Sequence, residues 1–82
     1  MAPMTHLNKV MQSINDGDGL RCVDIFRRPD ATFGFEEYRR DPEDPRGWAA
    51  IGGHDLARFE TAETALAAAR ERVAWLAPVL PA

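Results

Sequence analysis

Lysine is nearly missing from this 82-residue chain: nine of its ten basic residues are arginine, and Lys9 is the tenth. Cysteine occurs once, as Cys22. A single thiol excludes an internal disulfide and a cysteine-built zinc site. No apolar run approaches the ~20 residues of a membrane helix, and the first residues lack the charged-then-apolar order of a signal peptide. Basic charge is also short, with 13 acidic residues against 10 basic ones and a formal net charge of −3. A pI near 5.2 makes the chain a poor generic binder of polyanions. These absences predict a cytoplasmic protein with no membrane partner and no cofactor.

What is present is an ordinary globular mixture, 45% hydrophobic and 28% charged, of a length that suits one domain over residues 1–82. The arginine and alanine usage suits a GC-rich bacterial genome. Met4, Leu7, Val10, Met11 and Ile14 recur at helical spacing, and Asn15-Asp16-Gly17-Asp18-Gly19 is a strong stop, which predicts a helix over 5–15. Val23, Ile25 and Phe26 mark a strand over 20–28. Pro29-Asp30 begins a turn, and a returning strand spans 32–40. Two prolines within Asp41 to Gly47 end the ladder, and a third strand follows over 48–53. Leu56 and Phe59 are the expected core anchors of the next connection. Thr61 is a good N-cap for a helix over 62–77, whose apolar stripe is Ala62, Ala65, Leu66, Ala69, Val73 and Leu76, with Pro78 ending it before a tail over 78–82. The expected fold is α+β, a two-layer α-β-β-β-α arrangement with a three-stranded antiparallel meander packed against the C-terminal helix.

A three-residue loop, Pro29-Asp30-Ala31, sets Arg28 opposite Thr32 and fixes the register. Phe26 then opposes Gly34, Ile25 opposes Phe35, Asp24 opposes Glu36, Val23 opposes Glu37, and Cys22 opposes Tyr38. One face carries Val23, Ile25, Phe33 and Phe35, rimmed by Arg21, Arg27, Glu37 and Arg39, and belongs under the helix. The other carries Leu20, Cys22, Phe26 and Tyr38 among Asp24, Arg28, Glu36 and Arg40. Phe26 over Gly34 reads first as an aromatic covering a glycine gap. A second face this apolar still calls for the N-terminal helix, another copy or a partner to cover it. At ~100° per residue Trp75 falls opposite the apolar stripe, where either the tail folds over it or it anchors an interface.

Catalytic constellations are scarce. The Asp24–Glu36 pair lies within diagonal reach of Arg28 and Arg40, so a salt-bridge lattice is the simpler account than a shared proton. Taking Asp16 as a first calcium ligand puts Arg27 at the twelfth position, where a glutamate is needed. His54-Asp55 has only His6 as a further histidine and reads as a loop residue. Cys22 on a strand reads as an inert thiol. No G-x-x-x-x-G-K-[ST] or G-x-G-x-x-G occurs.

The element order and Ala65-Leu66-Ala67-Ala68-Ala69 resemble double-stranded-RNA-binding domains, but the family's phosphate-gripping lysines fall on Thr61-Ala62-Glu63-Thr64-Ala65 here. Trp48, Gly52-Gly53 and Phe59-x-Thr61-x-x-x-Ala65 resemble the strand, turn and helix entry of phage-integrase arm-binding domains, which implies a sheet set against DNA. The six arginines of that segment share it with seven acids, which leaves no basic stripe. The chain as a whole resembles small uncharacterised bacterial proteins built as a meander plus helix, which implies a fold and no function. The function expected from the residues is a non-enzymatic protein-interaction module that self-associates as a homodimer or binds another protein. Its candidate surface is Phe26, Tyr38, Arg28, Arg40 and Trp75. The alternative is nucleic-acid binding through Arg21, Arg27 and Arg39.

Overall fold

The computed structural model describes residues 8–80. The chain forms a four-stranded antiparallel meander in the order β1-β2-β3-β4, followed by helices. The strands are β1 (Lys9–Asn15), β2 (Arg21–Arg27), β3 (Phe33–Arg40) and β4 (Trp48–Ile51). A 3₁₀ turn at His54–Leu56 leads to α1 (Ala62–Arg72) and the single-turn α2 (Leu76–Val79).

The expected helix over 5–15 is corrected: its described part is β1, and its first residues, Met4 and Leu7 among them, lie outside the described residues. Strand pairing places Ile14 opposite Val23 and Gln12 opposite Ile25. An isolated helix of about eleven residues is marginal in water, whereas this segment gains a full hydrogen-bonded ladder along β2. The register shifts between Val10 and Gln12, a bulge at Met11. That irregularity breaks period-two alternation and lets a strand imitate a helical repeat. The glycine-rich stop serves as the β1–β2 turn, with Gly19 at φ +73° and Asp16 and Asp18 accepting the amides of Asp18 and Leu20.

The β2–β3 hairpin has the register that its loop implies. The Arg28 amide donates to Thr32 O at 2.8 Å, and Phe26 faces Gly34, Ile25 faces Phe35 and Asp24 faces Glu36. Ala31 closes the loop at φ +71°.

Val23, Ile25 and Phe35 pack with Ile14 beneath Ala65, Ala69, Val73 and Leu76. The apolar stripe therefore holds, but the helix does not run to residue 77. It ends at Arg72, with Val73 extended, and restarts at Leu76. A continuous helix would set the Pro78 ring against the Ala74 carbonyl. The break moves Pro78 into the first turn of α2, where a missing N–H leaves no helical bond unmade. Thr61 caps α1 in a reciprocal box with Thr64. Leu56, expected as a core anchor, is instead 84% exposed, whereas Phe59 bridges to Phe33 and packs on the core. No helix among the described residues is long and apolar enough to cross a membrane.

Candidate interaction surface

Strand alternation divides the candidate residues between two faces. The α1 face carries Arg21, Arg27 and Arg39, and the opposite face carries Cys22, Phe26, Tyr38 and Arg40, as the register requires. Adding β1 and β4 extends the second face with Val10, Ser13 and Asn15 on one side and Trp48 and Ala50 on the other.

Phe26 is not an accessible anchor on this face. It is only 6% exposed, and the Arg28 guanidinium lies over its ring, 4.9 Å from the centroid. Arg28 is held by donating to Phe33 O and Ala57 O, each at 3.1 Å. A methyl group on Gly34 would stand 2.7 Å from Arg28 Nη2. The Arg28 guanidinium thus fills the space above Gly34 and lies over Phe26, so the arginine, where the sequence suggests the phenyl ring, covers the glycine gap.

Trp75 is likewise structural. The helix break removes it from the position its number implies and makes it the N-cap of α2, partly buried against the core. Its indole Nε1 donates to Glu37 Oε2 at 2.9 Å. The other Glu37 oxygen faces His54 Nε2 at 3.9 Å, and the His54 ring stacks on Phe35 with centroids 4.9 Å apart. Gly52, at φ +87°, makes room: a Cβ there would fall 2.5 Å from His54 Nε2. His54 is accordingly packed into the fold by the β3 carboxylate and the core phenyl.

Tyr38 and Arg40 remain at the accessible end of the face. The Arg40 guanidinium lies 5.2 Å from the centroid of Trp48, directly across the strand pair. Trp48 is 43% exposed and lines a cavity of about 260 Å³ together with Ser13, Asn15, Cys22, Asp24 and Tyr38. Ser13 Oγ donates to Asp24 Oδ1 at 2.7 Å, and the Cys22 thiol reaches the same oxygen at 3.4 Å. Burial is the first cause that pushes the Cys22 thiol up, and the nearby Asp24 charge adds to it. A thiol kept protonated is a poor nucleophile. Among the described residues no group of three or more His, Cys, Asp or Glu is placed to hold a metal ion.

Asp24 and Glu36 are cross-strand neighbours, with Glu36 4% exposed. Glu36 Oε1 accepts the Glu37 amide at 2.9 Å. Ser13 and Cys22 supply Asp24 with partners that the expected arginine lattice leaves out. Ser13 and Asn15 are hidden in the sequence by the helical spacing of residues 5–15. Trp48 was within reach, because counting the register on from Arg40 through the second hairpin opposes the two residues.

The candidate nucleic-acid residues form like-charged cross-strand pairs: Arg21 faces Arg39, and Lys9 faces Arg27. No ion pair joins Arg21, Arg27 or Arg39 to a carboxylate among the described residues. Arg39 also borders a shallow hollow shared with Asp41 and Asp44.

Neither a protein-family model, nor a curated protein, nor a solved structure matches this chain.

Proposed function

We propose that the protein is a non-enzymatic interaction module that self-associates, one copy meeting a second along β1 and the adjoining margin of the second sheet face. The observation that carries this reading is the exposure of β1. Six of its seven residues are exposed, and the apolar Val10 and Met11 are 53% and 47% exposed. β1 is also an edge strand, so its outer backbone groups have no ladder partner among the described strands. A twofold axis beside β1 would set two such edges antiparallel and bury both apolar pairs. The bulge and Lys9 keep the matching segment short, which favours a concentration-dependent dimer over a permanent one.

Molar mass by light scattering over roughly a hundredfold range of concentration tests this reading, because a dimer dissociates by mass action. A rise towards twice the chain mass, lost in Val10→Lys or Met11→Lys with the circular dichroism unchanged, is the expected result. Monomer throughout would refute it. Phe26→Arg and Trp75→Ala are poor probes, since both residues hold the fold itself.

The opposed cation pairs support a second reading, nucleic-acid binding on the α1 face. It requires a salt-sensitive anisotropy change with labelled duplex DNA or RNA that Arg39→Ala weakens. No binding at low salt removes it.

A further inference from the structure

The cavity between β1 and β4 has a chemistry that the self-association reading does not use. Its walls are two aromatic rings, Tyr38 and Trp48, and its polar groups are Ser13, Asn15, Cys22 and Asp24. The one charged wall residue is a carboxylate, with a second carboxylate, Glu36, directly across the strand pair from it. The proton of Ser13 is already committed to Asp24 Oδ1. The arrangement suits a cation far better than an anion.

At about 260 Å³ the space is smaller than the pockets that take whole drug-sized molecules. It fits a headgroup. The Trp48 indole accepts one kind of headgroup, since the chain's own Arg40 guanidinium rests over it, and a ligand that stacks in that place displaces Arg40. A planar guanidinium both stacks on an indole and pairs side-on with a carboxylate, which a compact ammonium cannot do equally well.

We propose that this cavity is a binding site for a guanidinium group, stacked on Trp48 and paired with Asp24. The group comes either from a free alkylguanidine or from an arginine side chain of a second copy of this chain. The cavity borders the seam along β1, since Ser13 and Asn15 lie on that strand, but the proposal needs neither Val10 nor Met11.

The test uses the full chain, ¹⁵N-labelled, titrated with ethylguanidinium chloride and, as a control, with sodium chloride at matched ionic strength. The chain has two indoles, and Trp75 lies on the opposite face as an internal reference. The expected result is a saturable shift of the Trp48 indole resonance in the millimolar range, with Trp75 unmoved. Asp24→Asn should weaken it at least about tenfold. Trp48→Leu, on an exposed edge, should remove saturation at the Ser13 and Asn15 amides. A Trp48 resonance that moves on raising protein concentration alone, and returns on adding ethylguanidinium, assigns the source to a second copy; independence of concentration assigns it to a free guanidine. A linear drift shared by both indoles and matched by sodium chloride overturns the proposal. So does Asp24→Asn saturating at the wild-type concentration.

Discussion

The indole of Trp75 donates to Glu37 across 2.9 Å, joining residues 38 positions apart and tying the segment after α1 to the third strand. The other oxygen of that carboxylate faces His54 Nε2 at 3.9 Å, beyond hydrogen-bond reach. Trp75→Phe keeps most of the packing but removes the donor from a half-buried carboxylate. A loss of about 1.5–3 kcal/mol is expected, the range for hydrogen bonds to charged groups. Glu37→Gln retains an oxygen acceptor for the indole and should cost less than Trp75→Phe. Urea midpoints for the two variants check the order. If Glu37→Gln costs more, the carboxylate's charge matters more to the fold than its bond to the indole.

Arg28 offers a second test of a buried polar contact. Its guanidinium caps Phe26 and donates to carbonyls of β3 and of the loop before α1. Arg28→Ala removes the donor to Ala57 O, leaves Phe33 O with the Phe59 amide alone and uncovers the phenyl ring, so a destabilisation of about 2–4 kcal/mol is expected. Gly34→Ala should cost about 1 kcal/mol, since its methyl displaces the guanidinium but leaves the arginine in the chain. The double variant should cost little more than Arg28→Ala alone, because the two residues act through one contact. Additive effects in a double-mutant cycle would break that link.

The central hairpin was legible because its loop length leaves one register for seven opposed pairs. Once that register is known, Phe26 opposite Gly34 follows, but Arg28 as the cover of both does not. The N-terminal segment was illegible for a definite reason. Glycine in the left-handed region ends helices and closes hairpins alike, and the bulge at Met11 disturbs the alternation that distinguishes a strand. The helical spacing of residues 5–15 hides Ser13 and Asn15 in the sequence, and with them the cavity. A helical wheel misplaces Trp75, because the helix breaks at Val73, five residues ahead of Pro78. Local propensity favoured the longer helix, and the ring at Pro78 forbade it.

Ala31 is the one described non-glycine residue with a positive φ, at 71°. A β-carbon in the left-handed region costs about 1–2 kcal/mol, and glycine there loses some of that gain to the greater freedom of its unfolded chain. Ala31→Gly should therefore stabilise the hairpin by about 0.5–1 kcal/mol, raising Tm by roughly 4–8 °C per kcal/mol for a domain of this size. Ala31→Val should do the reverse, since a branched β-carbon resists this conformation. A calorimetric scan of both variants is sufficient. An unchanged or lower Tm in Ala31→Gly would mean that the loop relaxes away from this geometry.

Beside Ala31, Asp30 links acidity to the same turn. Its carboxylate accepts the Thr32 hydroxyl at 2.6 Å and the Thr32 amide at 3.0 Å, and it pairs with Arg58 at 2.8 Å. The Thr32 hydroxyl is the first cause that holds this carboxyl below its ordinary value of 3.8, with the amide next and the Arg58 charge a smaller contribution. A depressed folded value means that the ionised carboxylate favours the native state. Its stabilisation is complete above the ordinary value and drains away as pH falls from about 3.8 through the lowered folded value. Asp30→Asn keeps an oxygen for Thr32 but cannot titrate. Its urea midpoint should lie below wild type at neutral pH and converge with wild type once pH falls below the lowered folded value. Because Asp30 is exposed, the difference at neutral pH should shrink in high salt as the Arg58 pair is screened. Parallel midpoint curves across the whole acid range would show that Asp30 titrates alike in the folded and unfolded chains, and that its contacts with Thr32 and Arg58 do not favour the ionised form.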